Sequence, residues 1–356
     1  MTKNTFSDVL LEPQYSEIMS RSDVDLTSDM GKFTLALPVI SANMKDITGP
    51  KMSTAMFSEG GMGILHRFVK EEESSKYGYV EDLQSAASMI YDINKKLDWT
   101  NRFSRVGVSV GVQDSDYIRF EKLCEAGAKI FCVDVAHGHH ILVKNMIKYM
   151  RESAYYGNQH NGRNDDLCII AGNVATVKGA SDLIEWGADI IKVGIGPGGV
   201  CMTRKNTGIG VPQLHALKAI REANPDIKMI ADGGIQSTGD IAKALVHANA
   251  VMVGSFIAGT SETPGHVYET PDGQYYKVYG GSASGERKVQ NGQSNKHVEG
   301  VVKMIPFRGK VKYRLRTIKE NLQSAFSYTG ANNLKEFQER AVLNEISGGG
   351  KAESKL

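Results

Sequence analysis

Apolar, β-branched runs of six to eight residues recur along the chain, each followed by a longer segment in which apolar residues return at helical spacing. The runs are LPVISANM (37–44), GMGILH (61–66), VGVSVG (106–111), IFCVDVA (130–136), CIIAGNV (168–174), IIKVGIG (190–196), KMIADGGI (228–235) and AVMVGSF (250–256). Because they are continuous rather than alternating, they predict strands buried on both faces, as in a parallel sheet covered by helices. Segments such as VKGASDLIEWGAD (177–189) and STGDIAKALVHANA (237–250) supply the crossover helices. Eight such units predict an α/β fold, a single closed (β/α)₈ TIM barrel. An open doubly wound sheet satisfies the count, but it would not need a polar loop after nearly every strand.

Two stretches interrupt the period. Residues 69–104 are charged and predict a helical insertion in the second unit. Residues 262–300 follow the eighth strand and contain the turn Pro271-Asp272-Gly273, which predicts a hairpin and a mobile flap over the barrel mouth. The barrel domain is expected to span 1–345, with 346–356 as a flexible tail.

Composition changes this picture little. With 42 basic and 40 acidic residues the net charge is +2, so no field gathers nucleic acid or an anionic membrane. The N-terminus lacks a signal-peptide core and no apolar stretch is long enough to span a bilayer, so the expected location is cytoplasmic. In a eukaryotic cell the terminal Ser354-Lys355-Leu356 would instead address the chain to peroxisomes or related organelles. The four cysteines are too dispersed for a C-x-x-C pair.

Glycine is the excess residue, at 38 positions, and it gathers where a barrel keeps its chemistry, just after the strands. Gly194, Gly196, Gly198 and Gly199 lead into Cys201-Met202-Thr203, a loop able to expose a nucleophilic thiol beside a hydroxyl. After the seventh strand, Asp232-Gly233-Gly234 offers a carboxylate to vicinal ribose hydroxyls or, equally, a helix N-terminal carboxylate. After the eighth, Gly254-Ser255 offers amides and a hydroxyl where barrels hold phosphate. Asp134, His137, His139 and His140 after the fourth strand could suggest a metal, but adjacent His139 and His140 cannot easily converge, and Asp134 is the better contact for a cofactor or substrate amide. Tyr279, Gly281 and Glu299 are the remaining candidates in the long loop.

These residues resemble the IMP dehydrogenase and GMP reductase family, from Phe6-Ser7-Asp8-Val9-Leu10-Leu11 to about Phe337. The segments carrying the resemblance are KVGIGPGGVCMTRKNTGIGVPQ (192–213), ADGGI (231–235) and VMVGSFIAGTSETPG (251–265). The resemblance implies that Cys201 attacks C2 of a purine nucleotide, GMP or IMP, with Thr203 and Glu299 serving the departing ammonia in reductases. It implies that Asp232, Gly233 and Gly234 hold the ribose, Gly254, Ser255 and Tyr279 the phosphate, and Gly281 and Ser282 with Glu299 the purine. Asn43, Arg67 and Asp134 would face NADPH, and the carbonyls of Gly194, Gly196 and Cys201 would match a potassium site. Homotetramers are the family's assembly.

Within the family the chain is more similar to the reductases. Dehydrogenases insert a pair of regulatory domains after the second strand, and 69–104 is too short for them. Dehydrogenases also carry an Arg-Tyr pair in the flap to activate water, whereas Arg287 here is followed by Lys288. The resemblance therefore implies NADPH-dependent reductive deamination of GMP to IMP. IMP dehydrogenase and a nucleotide-binding regulator without catalysis remain the alternatives. Three features depart from the family: Gly199 replaces a phosphate-contacting serine, Arg67 replaces a lysine of one reductase branch, and the 69–104 insertion fits neither branch.

Overall fold

The computed structural model describes residues 3–68, 105–153, 167–290 and 296–353, together with positions 82, 84 and 88. Apart from those three positions, the helical insertion expected at 69–104 lies outside the described residues, as does Ser354-Lys355-Leu356.

Each of the eight runs forms a strand: β1 (Val39–Ser41), β2 (Met62–Leu65), β3 (Gly107–Val110), β4 (Ile130–Asp134), β5 (Cys168–Val174), β6 (Ile190–Val193), β7 (Lys228–Asp232) and β8 (Ala250–Val253). They close into a barrel in sequence order, every neighbouring pair parallel, with β8 returning to β1 through Val251↔Val39 and Val253↔Ser41. The continuous apolar pattern follows from this closure, because Ile40, Ile64, Phe131, Ile169, Ile190, Met229 and Val251 are excluded from water between the barrel interior and the helices. Burying each such side chain is worth about 1.5–3 kcal/mol.

The crossover helices begin where the sequence supplies a cap. Thr176 accepts from Gly179 at 3.2 Å to start Val177–Glu185, and Ser237 with Asp240 forms a capping box for Thr238–Leu245. Their apolar stripes, including Ala180, Leu183, Ile241 and Leu245, pack onto the barrel.

The segment after β8 is a three-stranded antiparallel sheet. The expected hairpin pairs Tyr268–Glu269 with Tyr275–Gly280, and Gly273 takes the left-handed conformation (φ 77°) that its turn needs. A third strand, Val302–Pro306, pairs with Tyr275–Gly280, so the excursion runs past residue 300, where the sequence pattern alone ended it.

The chain ends meet. Val9–Leu11 pairs antiparallel with Leu343–Glu345, and Ile346 donates to the Asp8 carbonyl at 2.9 Å. The residues read as a flexible tail from 346 carry a short helix, Gly348–Glu353, held where Lys351 pairs with Asp8. The glycine run suggested a spacer, but Ser347 accepts from Gly350 and the ion pair anchors the turn. Among the described residues no helix is long and apolar enough to cross a membrane.

Candidate active site

The sixth loop leaves β6 through Gly194, whose φ of 147° is open to glycine and whose Cβ, were there one, would stand 2.0 Å from the Asp232 carbonyl oxygen. That approach brings the loop against the end of β7. Cys201 follows, its amide donating to the Gly198 carbonyl at 3.0 Å, and Thr203 opens the helix Thr203–Thr207. The flap then stitches itself to the loop. Cys201 bridges Gly300, Met202 donates to the Glu299 carbonyl (2.7 Å), and Val301 donates to the Val200 carbonyl (3.1 Å). These bonds deliver the Glu299 carboxylate to Thr203. The Cys201 thiol donates to Thr203 Oγ1 across 3.2 Å, and the Thr203 hydroxyl donates to Glu299 Oε2 at 2.5 Å, the length of a charge-assisted bond.

Cys201 is the half-buried cysteine of the four; Cys124, Cys132 and Cys168 are buried. Burial pushes the Cys132 thiol up to about 12 and raises Cys168 as well, so neither supplies thiolate.

Asp232 ends β7, and Gly233 (φ 88°) and Gly234 turn the chain away beside Pro197 and Gly198 of the cysteine loop. The Asp232 carboxylate is fixed through one oxygen: Oδ2 accepts from Lys192 Nζ at 2.7 Å and Asn173 Nδ2 at 2.9 Å. Its Oδ1 takes no hydrogen bond from the described residues, which leaves it an acceptor toward the cavity. Lys192 is 3% exposed, and its ammonium also lies 3.7 Å from Asp134 Oδ1. Burial opposes that charge, yet Asp232 and Asp134 outweigh it and hold Lys192 above the ordinary lysine range. Arg67 Nε stands 3.9 Å from Asp134 on the other side.

At the far end, the Tyr279 phenol oxygen lies 3.1 Å from where a Cβ on Gly254 would be, and Ser255 Oγ lies 3.5 Å from the same point on Gly199. Tyr279 is buried; burial first, then Asp232 and Asp46, raises its phenol.

One cavity of about 490 Å³ is lined by Cys201, Thr203, Glu299, Asp232, Gly233, Gly234, Gly254, Ser255, Tyr279, Gly281, Ser282, Asp134, Asn43 and Arg67. Gly194 and Gly196 do not line it. They sit in the loop behind Cys201, where the Gly194 carbonyl accepts from Asn173 at 2.6 Å. A family model described as the IMP dehydrogenase / GMP reductase domain matches residues 3–356.

The chain belongs to this family. It is 36% identical to a GMP reductase of Acidovorax sp. (strain JS42) over 353 residues, 98% of this chain and 97% of that one. It is 31% identical to the inosine-5'-monophosphate dehydrogenase of Nitrosopumilus maritimus, again over 98% and 97% of the two chains. That second alignment runs over 472 positions against a chain of 356 residues, so more than a hundred positions face no residue here. Among solved structures, a cysteine-to-alanine variant of GMP reductase from Trypanosoma brucei in complex with guanosine 5'-monophosphate matches with a TM-score of 0.86 at 27% identity. It covers 100% of this chain and 98% of that one.

Within this family site, two of the three histidines after β4, His139 and His140, serve the scaffold. His139 pairs with Asp182 at 2.7 Å, and His140 accepts from the Leu142 amide at 3.2 Å to cap helix Ile141–Glu152. Among the described residues no group of three or more His, Cys, Asp or Glu could hold a metal ion. The Arg287 side chain lies outside the described residues.

Sequence reasoning missed Lys192 and Asn173, although both line the cavity. Lys192 had a signal, a lone charge in a run predicted to be buried on both faces, which must find a partner there. Asn173 had none, since it reads as one polar residue near a strand end. Lys288 and His297 also line the cavity, and Lys288 is held by the carbonyls of Lys296 (2.8 Å) and His297 (2.7 Å).

Proposed function

We propose that the chain is a GMP reductase, converting GMP, NADPH and protons to IMP, NADP⁺ and ammonium. The observation that carries this reading is the hydrogen-bonded chain from Cys201 through Thr203 to Glu299, closed by the flap over a cavity with Asp232 on its floor. The comparisons support the reductase at the level of the family's members.

In this reading Asp232 Oδ1 accepts from the ribose hydroxyls, Gly233 and Gly234 let the sugar approach, and Gly254, Ser255 and Tyr279 hold the phosphate. Gly281 and Ser282 flank the purine. Cys201 Sγ forms a bond to purine C2, its proton passing to Thr203 and on toward Glu299. The C2–N bond then breaks, and the amino group leaves as ammonia with a proton returned along the same path. When bound, NADPH would supply the hydride that reduces C2; Cys201 would then be released as thiolate and take back a proton by way of Thr203. Asn43, Arg67 and Asp134 would face the nicotinamide. The fit is supported by three buried polar atoms on residues of this cavity that make no hydrogen bond, Asn43 Nδ2, Arg67 Nε (in a long ion pair with Asp134) and Asn173 Oδ1, which a carboxamide's acceptor and donor would satisfy. The carbonyls of Gly194, Gly196 and Cys201 are hard oxygen ligands of the type potassium takes, and a bound ion would serve to order the loop. No chemical step runs through it.

The reaction is tested at 340 nm in both directions. GMP with NADPH should lose absorbance, and IMP with NAD⁺ should show no gain. Gain in the second alone would make the protein a dehydrogenase, the activity of its Nitrosopumilus relative. Silence in both would favour a nucleotide-binding regulator.

A further inference from the structure

A nucleotide phosphate is a dianion, yet the end of the cavity assigned to it is lined by neutral groups, Gly199, Gly254, Ser255 and Tyr279. The cations lining the cavity are committed elsewhere. Lys192 pairs with Asp232, Arg67 stands beside Asp134, and Lys288 binds the carbonyls of Lys296 and His297. Arg308, just beyond Ser255, points Nη1 at the carbonyls of Ser255 and Ala258.

Lys303 is placed differently. It stands opposite Tyr279 in the flap sheet, so both side chains leave the same face, and the Tyr279 phenol on that face reaches Gly254. The Lys303 ammonium lies 3.4 Å from the Gly199 carbonyl, which is its one hydrogen bond among the described residues, and it joins no ion pair there. Gly199 has no side chain to fill the space between that ammonium and Ser255, whose Oγ lies 3.5 Å from the missing Cβ.

We propose that Lys303 is the cation of the phosphate subsite, swinging from the Gly199 carbonyl to the 5'-phosphate of the bound nucleotide. The inference rests on the nucleotide reading above and adds a specificity residue to it: Lys303 selects nucleotide over nucleoside. An exposed ammonium on a flexible stem suits this task, since it stays hydrated until the dianion arrives.

The test compares Lys303→Gln, Lys303→Arg and the parent protein with GMP, guanosine and ribose 5-phosphate. Lys303→Gln should raise the KM for GMP about five- to tenfold, a charge-assisted contact discounted for exposure, with kcat nearly unchanged. Guanosine binding should not move, and Lys303→Arg should recover most of the loss. The GMP effect should shrink at high salt. An unchanged KM for GMP, or equal losses for GMP and guanosine, would overturn the proposal. If the parent protein binds neither GMP nor IMP but binds ribose 5-phosphate through Lys303, the purine reading fails and the phosphate subsite stands. If ribose 5-phosphate binds equally to parent and Lys303→Gln, the subsite fails.

Discussion

The Thr203 hydroxyl donates to Glu299 Oε2 at 2.5 Å although 96 positions separate the two residues in the chain. A threonine that opens a short helix and a carboxylate at the end of the flap meet only because the flap backbone pairs with the cysteine loop. In the proposed reaction, proton movement at C2 would therefore depend on both elements being in place. Glu299→Gln should lower kcat by about 10²–10³ with little change in the GMP KM. Thr203→Ser should keep most activity and Thr203→Val should not. Steady-state kinetics that found Thr203→Val as active as the parent would remove the hydroxyl from the proton path.

Lys192 holds two carboxylates together in the floor of the site. Lys192→Met would leave Asp232 and Asp134 without their shared cation, and the expected loss is about 3–5 kcal/mol in denaturant unfolding at neutral pH. Because the folded pKa of Lys192 lies above its ordinary 10.5, the parent's ion pairs are fully present across the neutral range and are lost only as pH rises through the higher folded value. The difference between variant and parent should narrow as pH rises toward the folded value of Lys192, where the parent loses the same charge. Equal losses at every pH would indicate packing rather than charge.

Burial of His66 and His247 makes stability depend on pH on the acid side. Burial, aided by Arg119 and Lys45, lowers His66 to about 3, and burial with Lys218 and Arg221 nearby lowers His247 to about 4. Each is neutral when folded and takes a proton on unfolding below pH 6.5, so stability should fall as pH drops from 6.5 toward 4, by up to about 1.4 kcal/mol per pH unit for each. His247→Gln should flatten the slope of Tm against pH in this window. A slope unchanged in that variant would place the acid sensitivity elsewhere.

Thiol chemistry separates Cys201 from the rest. Iodoacetamide should modify one cysteine of four in the folded protein, and GMP or IMP should block it. Peptide mapping that found Cys132 or Cys168 labelled first would contradict the exposures described here.

The eight strands were legible because a strand buried on both faces is mostly apolar, and each of the eight runs is so; three charges within them, Lys192, Asp134 and Asp232, meet one another at the ends of their strands. The cysteine loop and the Asp232-Gly233-Gly234 turn were legible because close backbone approach and positive φ leave glycine as the affordable residue, as Gly194 and Gly233 demonstrate. What escaped depends on contacts distant in sequence. No local pattern announces that Val302–Pro306 joins the hairpin, that Leu343–Glu345 pairs with Val9–Leu11, or that Lys351 reaches Asp8. The same holds for Asn173, whose amide links the Gly194 carbonyl to Asp232. Lys192 was the exception, a charge in a buried run whose partners the topology alone identifies.

The proposed reaction is tested most sharply by following ammonia and NADPH together during turnover of GMP, with the parent protein and with Cys201→Ala. The parent protein should release one ammonium for each NADPH oxidised, and Cys201→Ala should give neither product while still binding IMP. NADPH oxidation without ammonia, or turnover that survives the loss of Cys201, would contradict the proposed reaction.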